Sequence, residues 1–583
     1  MNKTTRLLLP LLLIFSVFLT LYGIDWGLPS AVRKSLLMPA GYDTQEFYNL
    51  MKQSREDIYA LSKGSPVGRY YGAPGSGITP VLASMDMTGA DTVIVEMTDK
   101  VLANFIRPYL LRSHSSDEQM TIASLGSMKP RACDFYPRIF CYGAVYIYTV
   151  GASFAAAKIF GLVSLVPDLA FYFAAPAEMA KLFITGRALN SVFLALTLYF
   201  VFLTARRLYS ERAGLLAVFL IAINPAVLFE AHIMKPYMLG TLLSVICLYY
   251  SLELLEANAK PRHYILAGLF AGLTAGTMSF YGYIIIAPLA AHLLAGRRFD
   301  RNLIYLFAVP AAAFLITNPY WLLKYSDMRL EMESSRSVYA ATVSLPLVID
   351  FVFHKLPANI SYGLALLFLA GSAHAFARKQ KADYLLLSSC VIPLLIFTYL
   401  LQNQEFTHHL SRFFIPWLVV FSILAARSIE LFYVKYSFKP LVLLMTAILL
   451  APTFAHSYLV ERNFKIDATP DSTRLRAAAW LKEALPEGSV IALAGLPEPF
   501  SVPPFDFTKY KLAPLKQQRE PKALPPDYFI AKIFSSNEPE NLAVDYELIK
   551  RFEPATGVLG FRLDLPPSVV NTEILVYQRK KNR

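Results

Sequence analysis

The chain alternates long apolar runs with short polar connections, and one long polar stretch follows the first run. A helix that crosses a bilayer needs roughly 20 mostly apolar residues. The first run that fits extends from about Leu7 to Gly23, behind Lys3 and Arg6. Further runs begin near Gly186, Ala213, Pro236, Tyr264, Tyr281, Leu303, Ile360, Tyr384, Phe413 and Pro440. The final stretch changes in kind. From Asp471 the segment STRLRAAAWLKEAL has apolar positions three and four apart, which predicts a helix. PEGSVIALAG, DYFIAKIF and EILVYQRKK then read as short strands between proline-rich turns. The pattern predicts a polytopic α-helical membrane domain over 1–457, with about eleven spans, and a small soluble α/β domain over 458–583.

The connections carry the orientation signal. Arg206, Arg207 and Arg212 flank one; Lys260 and Arg262 another; Arg297, Arg298 and Arg301 a third. Arg378, Lys379 and Lys381 mark a fourth, and Lys435 with Lys439 a fifth. Cytoplasmic connections are enriched in Lys and Arg. That rule puts the N-terminus in the cytoplasm, the long loop 25–185 outside and the C-terminal domain outside. Parity then forbids Ile139–Leu165 from crossing alone, so an external juxtamembrane helix is expected there. No small-x-small cleavage site follows the first run, where the chain continues YGIDWGLP, so an uncleaved anchor is expected.

Composition agrees with this and removes other classes. Hydrophobic residues make up 55% of the 583 and charged residues 17%, against about a quarter in soluble proteins. A wholly soluble or disordered chain is excluded. The net charge of +13 would raise nucleic acid as a partner, but the inner connections account for much of it. Four cysteines exclude a disulfide scaffold. Cys133 and Cys141 share one loop and read as thiols rather than a bridge, and no His/Cys cluster has zinc-ligand spacing. No metal ligand is assigned; a divalent metal is not indicated, and no cofactor is expected.

Candidate chemistry lies in the outer minority of charge. Asp43, with Glu46 three positions later, precedes an amphipathic pattern of Phe47, Leu50, Met51, Ile58 and Leu61. An aspartate there is most often a helix cap, with Glu46 completing a capping-box arrangement. Asp25 and Asp134 are further outer carboxylates. RYYGAPGSGITP, residues 69–80, lacks the Gly-Lys-Ser/Thr ending of a phosphate loop and reads as a mobile loop. His232 and Lys235 follow one span; His408, His409 and Arg412 precede another. Such basic groups usually snorkel to the interface. A guanidinium can also hold a phosphate through two hydrogen bonds, which singles out Arg412 and Arg187.

The order of segments resembles the GT-C glycosyltransferases, which use polyprenyl-phosphate sugars. A first span followed by a large outer loop with an acidic residue is one part of the resemblance. GRALNSVFLALTLYFVFLTARRLYSERAGLLAVFLIAINPAVLFEAHIMKP is similar to the family's second and third spans. YPRIFCYGAVYIYTVGA looks like its external juxtamembrane helix; ILAGLFAGLTAGT, ITNPYWL and SRFFIPWLVVFSILAARSIE resemble later segments. Protein O-mannosyltransferases and the lipid A aminoarabinose transferase belong to this superfamily. The resemblance implies an inverting transfer of a sugar from a polyprenyl-phosphate carrier to a hydroxyl of a lipid, glycan or protein acceptor, at the outer face of a bacterial inner membrane. It implies Asp43 as general base, with Glu46 as the alternative because the usual Asp-Glu pair is here spread over Asp43-Thr-Gln-Glu46. Tyr237, in HIMKPY, stands where relatives often carry an acidic residue. Donor phosphate is expected on Arg412, with Arg187, Lys235 and His408. The competing class is a multi-pass transporter or lipid flippase. Such proteins often show internal repeats and mid-membrane charges; no clear repeat is visible here.

Overall fold

The structure is a computed structural model that describes residues 3–61, 94–297, 300–339, 344–401, 412–493, 495–514, 526–532, 545–563 and 568–580. The segment RYYGAPGSGITP and the pair His408 and His409 lie outside the described residues.

The first apolar run is helix α1, Lys3–Leu21, and the described part of the long polar stretch behind it is largely helical. Helix α2, Ala31–Leu37, begins where the Ser30 side chain accepts from Arg33 N. Helix α3 spans Gln45–Leu61. Thr44, not Asp43, caps it: Phe47 N donates to Thr44 Oγ1 at 3.3 Å. Thr98 caps helix α4, Asp99–Leu111, and helix α5, Glu118–Ser127, follows a short connection. Helix α6, Ala144–Ile159, occupies the stretch expected to be juxtamembrane.

Each of the later apolar runs contains helix, but fewer qualify as spans than the expected eleven. Among the described residues, five helices are long and apolar enough to cross a membrane, or seven if each of two bent pairs counts as one span. The long ones include α7, Pro176–Leu208, with proline at its first turn. One bent pair is α8, Glu211–Ala222, with α9, Pro225–Ala231, which meet at 62°. Proline ends the first ladder there, and Asn224 Oδ1 caps the second, accepting from Ala226 N at 3.0 Å. The other pair, Leu345–Ile360 and Tyr362–Arg378, bends by 111°. Shorter apolar helices account for the shortfall: Tyr237–Glu253, Ser279–Leu294 and Asn302–Thr317 join α6 in that class. Sixteen or seventeen residues at 1.5 Å each reach about 25 Å, less than a hydrocarbon core of about 30 Å. Close helix approach compensates in places. A Cβ on Gly272 would sit 2.4 Å from Pro310 O, so only glycine lets Pro261–Thr277 and Asn302–Thr317 touch there.

The last membrane helix, Lys439–Asp467, runs straight through the expected domain boundary at 457 and ends ten residues later. The helix predicted from Asp471 is Thr473–Ala484, capped by Ser472. It covers a five-stranded sheet of β1 (Val490–Leu493), β2 (Lys511–Pro514), β3 (Tyr528–Lys532), β4 (Tyr546–Phe552) and β5 (Ile574–Arg579), in the order β2-β1-β3-β5-β4. β1 runs parallel to both neighbours, whereas β5 runs antiparallel to β3 and β4. The 25–185 segment is fastened to this domain. Val95 N donates to Leu512 O at 2.8 Å, Tyr109 Oη donates to Val502 O at 3.0 Å, and the Phe105 ring meets Phe507 edge-on.

Candidate active site

The connection between α4 and α5, residues 112–117, together with Glu118 at the start of α5, is the point where the 25–185 segment, membrane helices and C-terminal domain meet. Arg112 Nη1 reaches both oxygens of Glu498, at 2.7 and 2.8 Å. Ser113 Oγ donates to Glu118 Oε2 at 2.5 Å. His114 lies between Asp467, 2.9 Å from Nδ1, and Arg33, whose Nη2 is 2.9 Å from Nε2. Arg33 can only donate, so Nε2 accepts and Nδ1–H faces the carboxylate. Burial, with Arg474 close by, pushes the His114 pKa down to about 3. Burial, again with Arg474, lowers Arg33 to about 9. Gly27 makes room for this: its φ is +59°, and a Cβ would fall 2.6 Å from the His114 ring. Arg474 also reaches Phe500 O and Val569 O, which ties the C-terminal domain to the same knot.

Glu118 is the anchor of the connection. Arg187 Nε and Nη2 donate to its two oxygens at 2.8 and 2.7 Å, Met234 N donates at 2.7 Å, and both side chains are fully buried. Arg187 also donates to Ile24 O and Trp26 O and lies over the Trp26 ring. This closed set of partners joins α1's end, α5, α7 and the 232–236 turn.

Its neighbour Asp117 faces the other way. Lys235 Nζ lies 2.7 Å from Asp117 Oδ2 and is wholly buried, while Arg412 Nη1 lies 3.7 Å from the same oxygen. Tyr281 Oη donates to Arg412 O at 2.7 Å, and the guanidinium lies over Phe413. Burial and the Asp117 charge, with Tyr237 adding to them, hold the Tyr142 hydroxyl well above its ordinary pKa. Among the described residues the cluster sets one carboxylate against two cations, walled by phenols. An ammonium carries three donors, and Asp117 is the one ion-pair partner of Lys235 among the described residues.

The structure thus brings together two of the residues singled out from sequence, Lys235 and Arg412, and holds Arg187 nearby in a different network. Asp43 sits elsewhere. Its carboxylate pairs with Lys34 at 2.8 Å and accepts from Tyr48, and its side chain is 57% exposed. Burial pushes the Asp43 pKa up, but Lys34 and Tyr48 together outweigh it and hold it below the ordinary value. No described contact joins Asp43 to Lys235 or Arg412, and Glu46 is exposed on α3. His408 lies outside the described residues. Sequence reasoning passed over Asp117 because an acidic pair before a helix reads as ordinary first-turn charge. A signal was nevertheless present, because Asp117-Glu118 is the one Asp-Glu dipeptide in the chain. Among the described residues, no group of three or more His, Cys, Asp or Glu side chains is arranged to hold a metal ion.

Residues 181–321 match the model of the family described as dolichyl-phosphate-mannose-protein mannosyltransferase. The matched segment carries Arg187 and Lys235. No curated protein matches the chain. Among solved structures it is similar to ArnT from Cupriavidus metallidurans bound to undecaprenyl phosphate, at 13% identity and TM-score 0.42, over 81% of this chain and 95% of that one. The oligosaccharyltransferase of Archaeoglobus fulgidus in the apo form is similar at 13% identity and TM-score 0.44, over 85% and 70%. The same enzyme with zinc and sulfate is similar at 14% identity and TM-score 0.37, over 60% and 52%, so the chain spans about half the length of that structure. The likeness to this family model is confined to residues 181–321, about a quarter of the chain.

Proposed function

We propose that the chain is an inverting glycosyltransferase that moves a sugar from a polyprenyl-phosphate carrier to an acceptor hydroxyl at the outer face of a bacterial inner membrane. The observation that carries this reading is the meeting of Asp117 with Lys235 and Arg412, in a chain whose 181–321 segment matches a lipid-phosphate mannosyltransferase family. In this reading the donor's phosphate takes the two cations, since its oxygens can accept from both the ammonium and the guanidinium. That releases the Asp117 carboxylate to accept a proton. The acceptor oxygen attacks the anomeric carbon from the face opposite the phosphate. Its bond to carbon forms as the carbon–phosphate-oxygen bond breaks, Asp117 takes the hydroxyl proton, and the electron pair leaves with the polyprenyl phosphate. Lys235 and Arg412 stabilise the charge that grows there. No covalent intermediate is needed, so one displacement inverts the anomeric configuration.

Arg187 is given a positioning role, because a guanidinium already committed to Glu118 and two carbonyls holds the connection rather than a ligand. Asp43 keeps a place as the second candidate base on the strength of its position behind the first span. The test is mass spectrometry of envelope glycoconjugates from cells with and without the chain. Loss of one sugar from one conjugate is the expected result. Lipid or sugar flux through proteoliposomes with no new glycosidic bond would replace this reading with the transporter.

A further inference from the structure

Apart from its five-stranded sheet, the C-terminal domain carries a small hairpin in which Gly557–Val558 pairs antiparallel with Phe561–Arg562. The two-residue loop is Leu559-Gly560, with φ of +50° and +84°. A type I′ loop needs φ above zero at both positions, and Asn-Gly or Asp-Gly is the usual choice. Leucine fits badly there, because its Cβ crowds the backbone in the left-handed region. Packing inside the protein does not offset that strain. Leu559 is 93% exposed, the most of any large hydrophobic side chain among the described residues, and Phe561 is 75% exposed. In water the tip costs stability twice, once in backbone strain and once in apolar exposure.

The hairpin is fastened to the last membrane helix, Lys439–Asp467, at a definite height. Arg462 Nη1 donates to Gly557 O at 3.1 Å. Asn463 donates to Ala555 O at 2.8 Å and accepts from Ala555 N at 2.9 Å. Asn463 is buried, whereas Arg462 lies on the exposed face, with Tyr458 one turn before it. That face continues back through Phe454, Ile448, Met445 and Leu441, all exposed. On a helix long and apolar enough to span a bilayer, such a stripe faces lipid.

Two tyrosines bracket the point where the stripe leaves the lipid. Tyr458 is exposed on the helix itself, and Tyr22 is exposed just past the end of α1. Tyrosine is enriched where hydrocarbon gives way to headgroups. Lys465 Nζ lies 5.8 Å from the Tyr22 ring centre, and a Cβ on Gly23 would fall 2.8 Å from Lys465 N. The end of α1 is therefore level with Lys465. Residues 458–465 cross the boundary, and the hairpin is attached within that interval. Arg462 and Lys465 are exposed there, and Arg562, beside Glu553, adds a third exposed cation. Basic groups at this height attract lipid phosphates.

We propose that the 557–562 hairpin dips into the bilayer surface, with Leu559 and Phe561 at the edge of the acyl chains and the three cations among the headgroups. Leu559 lies two residues beyond Gly557, a reach of about 7 Å at 3.3 Å per residue. Tyr458 is about 6 Å from Arg462 along the helix at 1.5 Å per residue. The reach matches the step down to the aromatic edge of the hydrocarbon. The insertion gives the C-terminal domain a second hold on the membrane besides the helix that carries it, and it stands whether or not the chain transfers sugar.

The test places an environment-sensitive fluorescent amino acid at Leu559 of the full chain, in nanodiscs of phosphatidylethanolamine and phosphatidylglycerol. The same probe at Glu547, exposed on β4, is the aqueous reference. A probe at Phe561 covers the case in which the Leu559 variant does not fold. Quenching by a nitroxide near the headgroup end of an acyl chain is expected to be about threefold stronger at Leu559 than at Glu547, as for a side chain moved from water to the acyl boundary. Quenching by iodide is expected to be about threefold weaker, for the same reason. Equal iodide quenching at the two sites leaves the tip in water and overturns the proposal. Protection from both quenchers overturns it too, because the tip is then covered by another segment of this chain or by a second copy.

Discussion

Asp117 and Glu118 are neighbours in the chain and opposites in the fold. Glu118 has both oxygens filled by Arg187, Ser113 and Met234 N, in a volume closed to solvent. Asp117 is 31% exposed and faces two cations through one oxygen. The first arrangement is saturated and suits a joint; the second sets a partly exposed carboxylate against two cations and suits an anion that comes and goes. One peptide bond therefore separates a fastening from a candidate reacting group, and the fastening sets where the reacting group points.

The comparison breaks most visibly if Arg187 is removed. Arg187→Ala leaves the Glu118 carboxylate buried without its partner, which costs about 3–5 kcal/mol. The expected outcome is loss of monodisperse protein in detergent and a collapsed thermal transition, not a selective kinetic defect. Asp117→Asn should do the converse. Folding and melting stay near those of the parent chain, while transfer falls by about 10²–10⁴, the range of a general base, in an assay of sugar transfer from the lipid-phosphate donor. Arg412→Ala removes one charged hydrogen-bonding group from the donor phosphate. At about 1.5–3 kcal/mol, donor use should fall between roughly tenfold and a hundredfold, measured as kcat/KM for the donor.

The knot around His114 gives a smaller effect with a definite sign. Its pKa is about 3 in the fold against 6.5 as the ordinary value. A neutral His114 is bound in the folded state while the unfolded chain takes up a proton below pH 6.5. Stability from this residue is thus complete above pH 6.5 and lost as pH falls toward 3, at no more than about 1.4 kcal/mol per pH unit. Melting temperature followed from pH 7 to pH 4 should decline, and His114→Gln should flatten that decline. A decline of the same slope in His114→Gln would assign it to other groups.

How much of this could be read from residues alone follows from the range of the interactions. Apolar runs are local, so the helices sit where the pattern puts them, and Ser472 caps the helix predicted from Asp471 within two residues. Four apolar stretches form helices of only 16 or 17 residues, and in Ser279–Leu294 the aromatic start, Ser279–Ile285, is a 3₁₀ helix. Lys235 and Arg412 are legible as cations at the ends of apolar runs. Their meeting is not, because they are brought to one carboxylate by helices far apart in sequence. Asp43 is held within its own stretch of chain. Thr44 takes the capping role that the spacing offered to Asp43, and the carboxylate is then satisfied locally by Lys34 and Tyr48. An exposed pair of this kind is worth about 0–1 kcal/mol, so Asp43→Asn should change donor turnover by no more than about fivefold.

The most direct measurement sets Asp117→Asn beside Asp43→Asn in cells whose own copy has been deleted, with envelope glycoconjugates read by mass spectrometry and each variant's level and melting confirmed. The account predicts that Asp43→Asn restores the missing sugar and Asp117→Asn, equally abundant and folded, does not. Restoration by Asp117→Asn together with failure of Asp43→Asn would contradict it and move the reacting carboxylate to the start of α3.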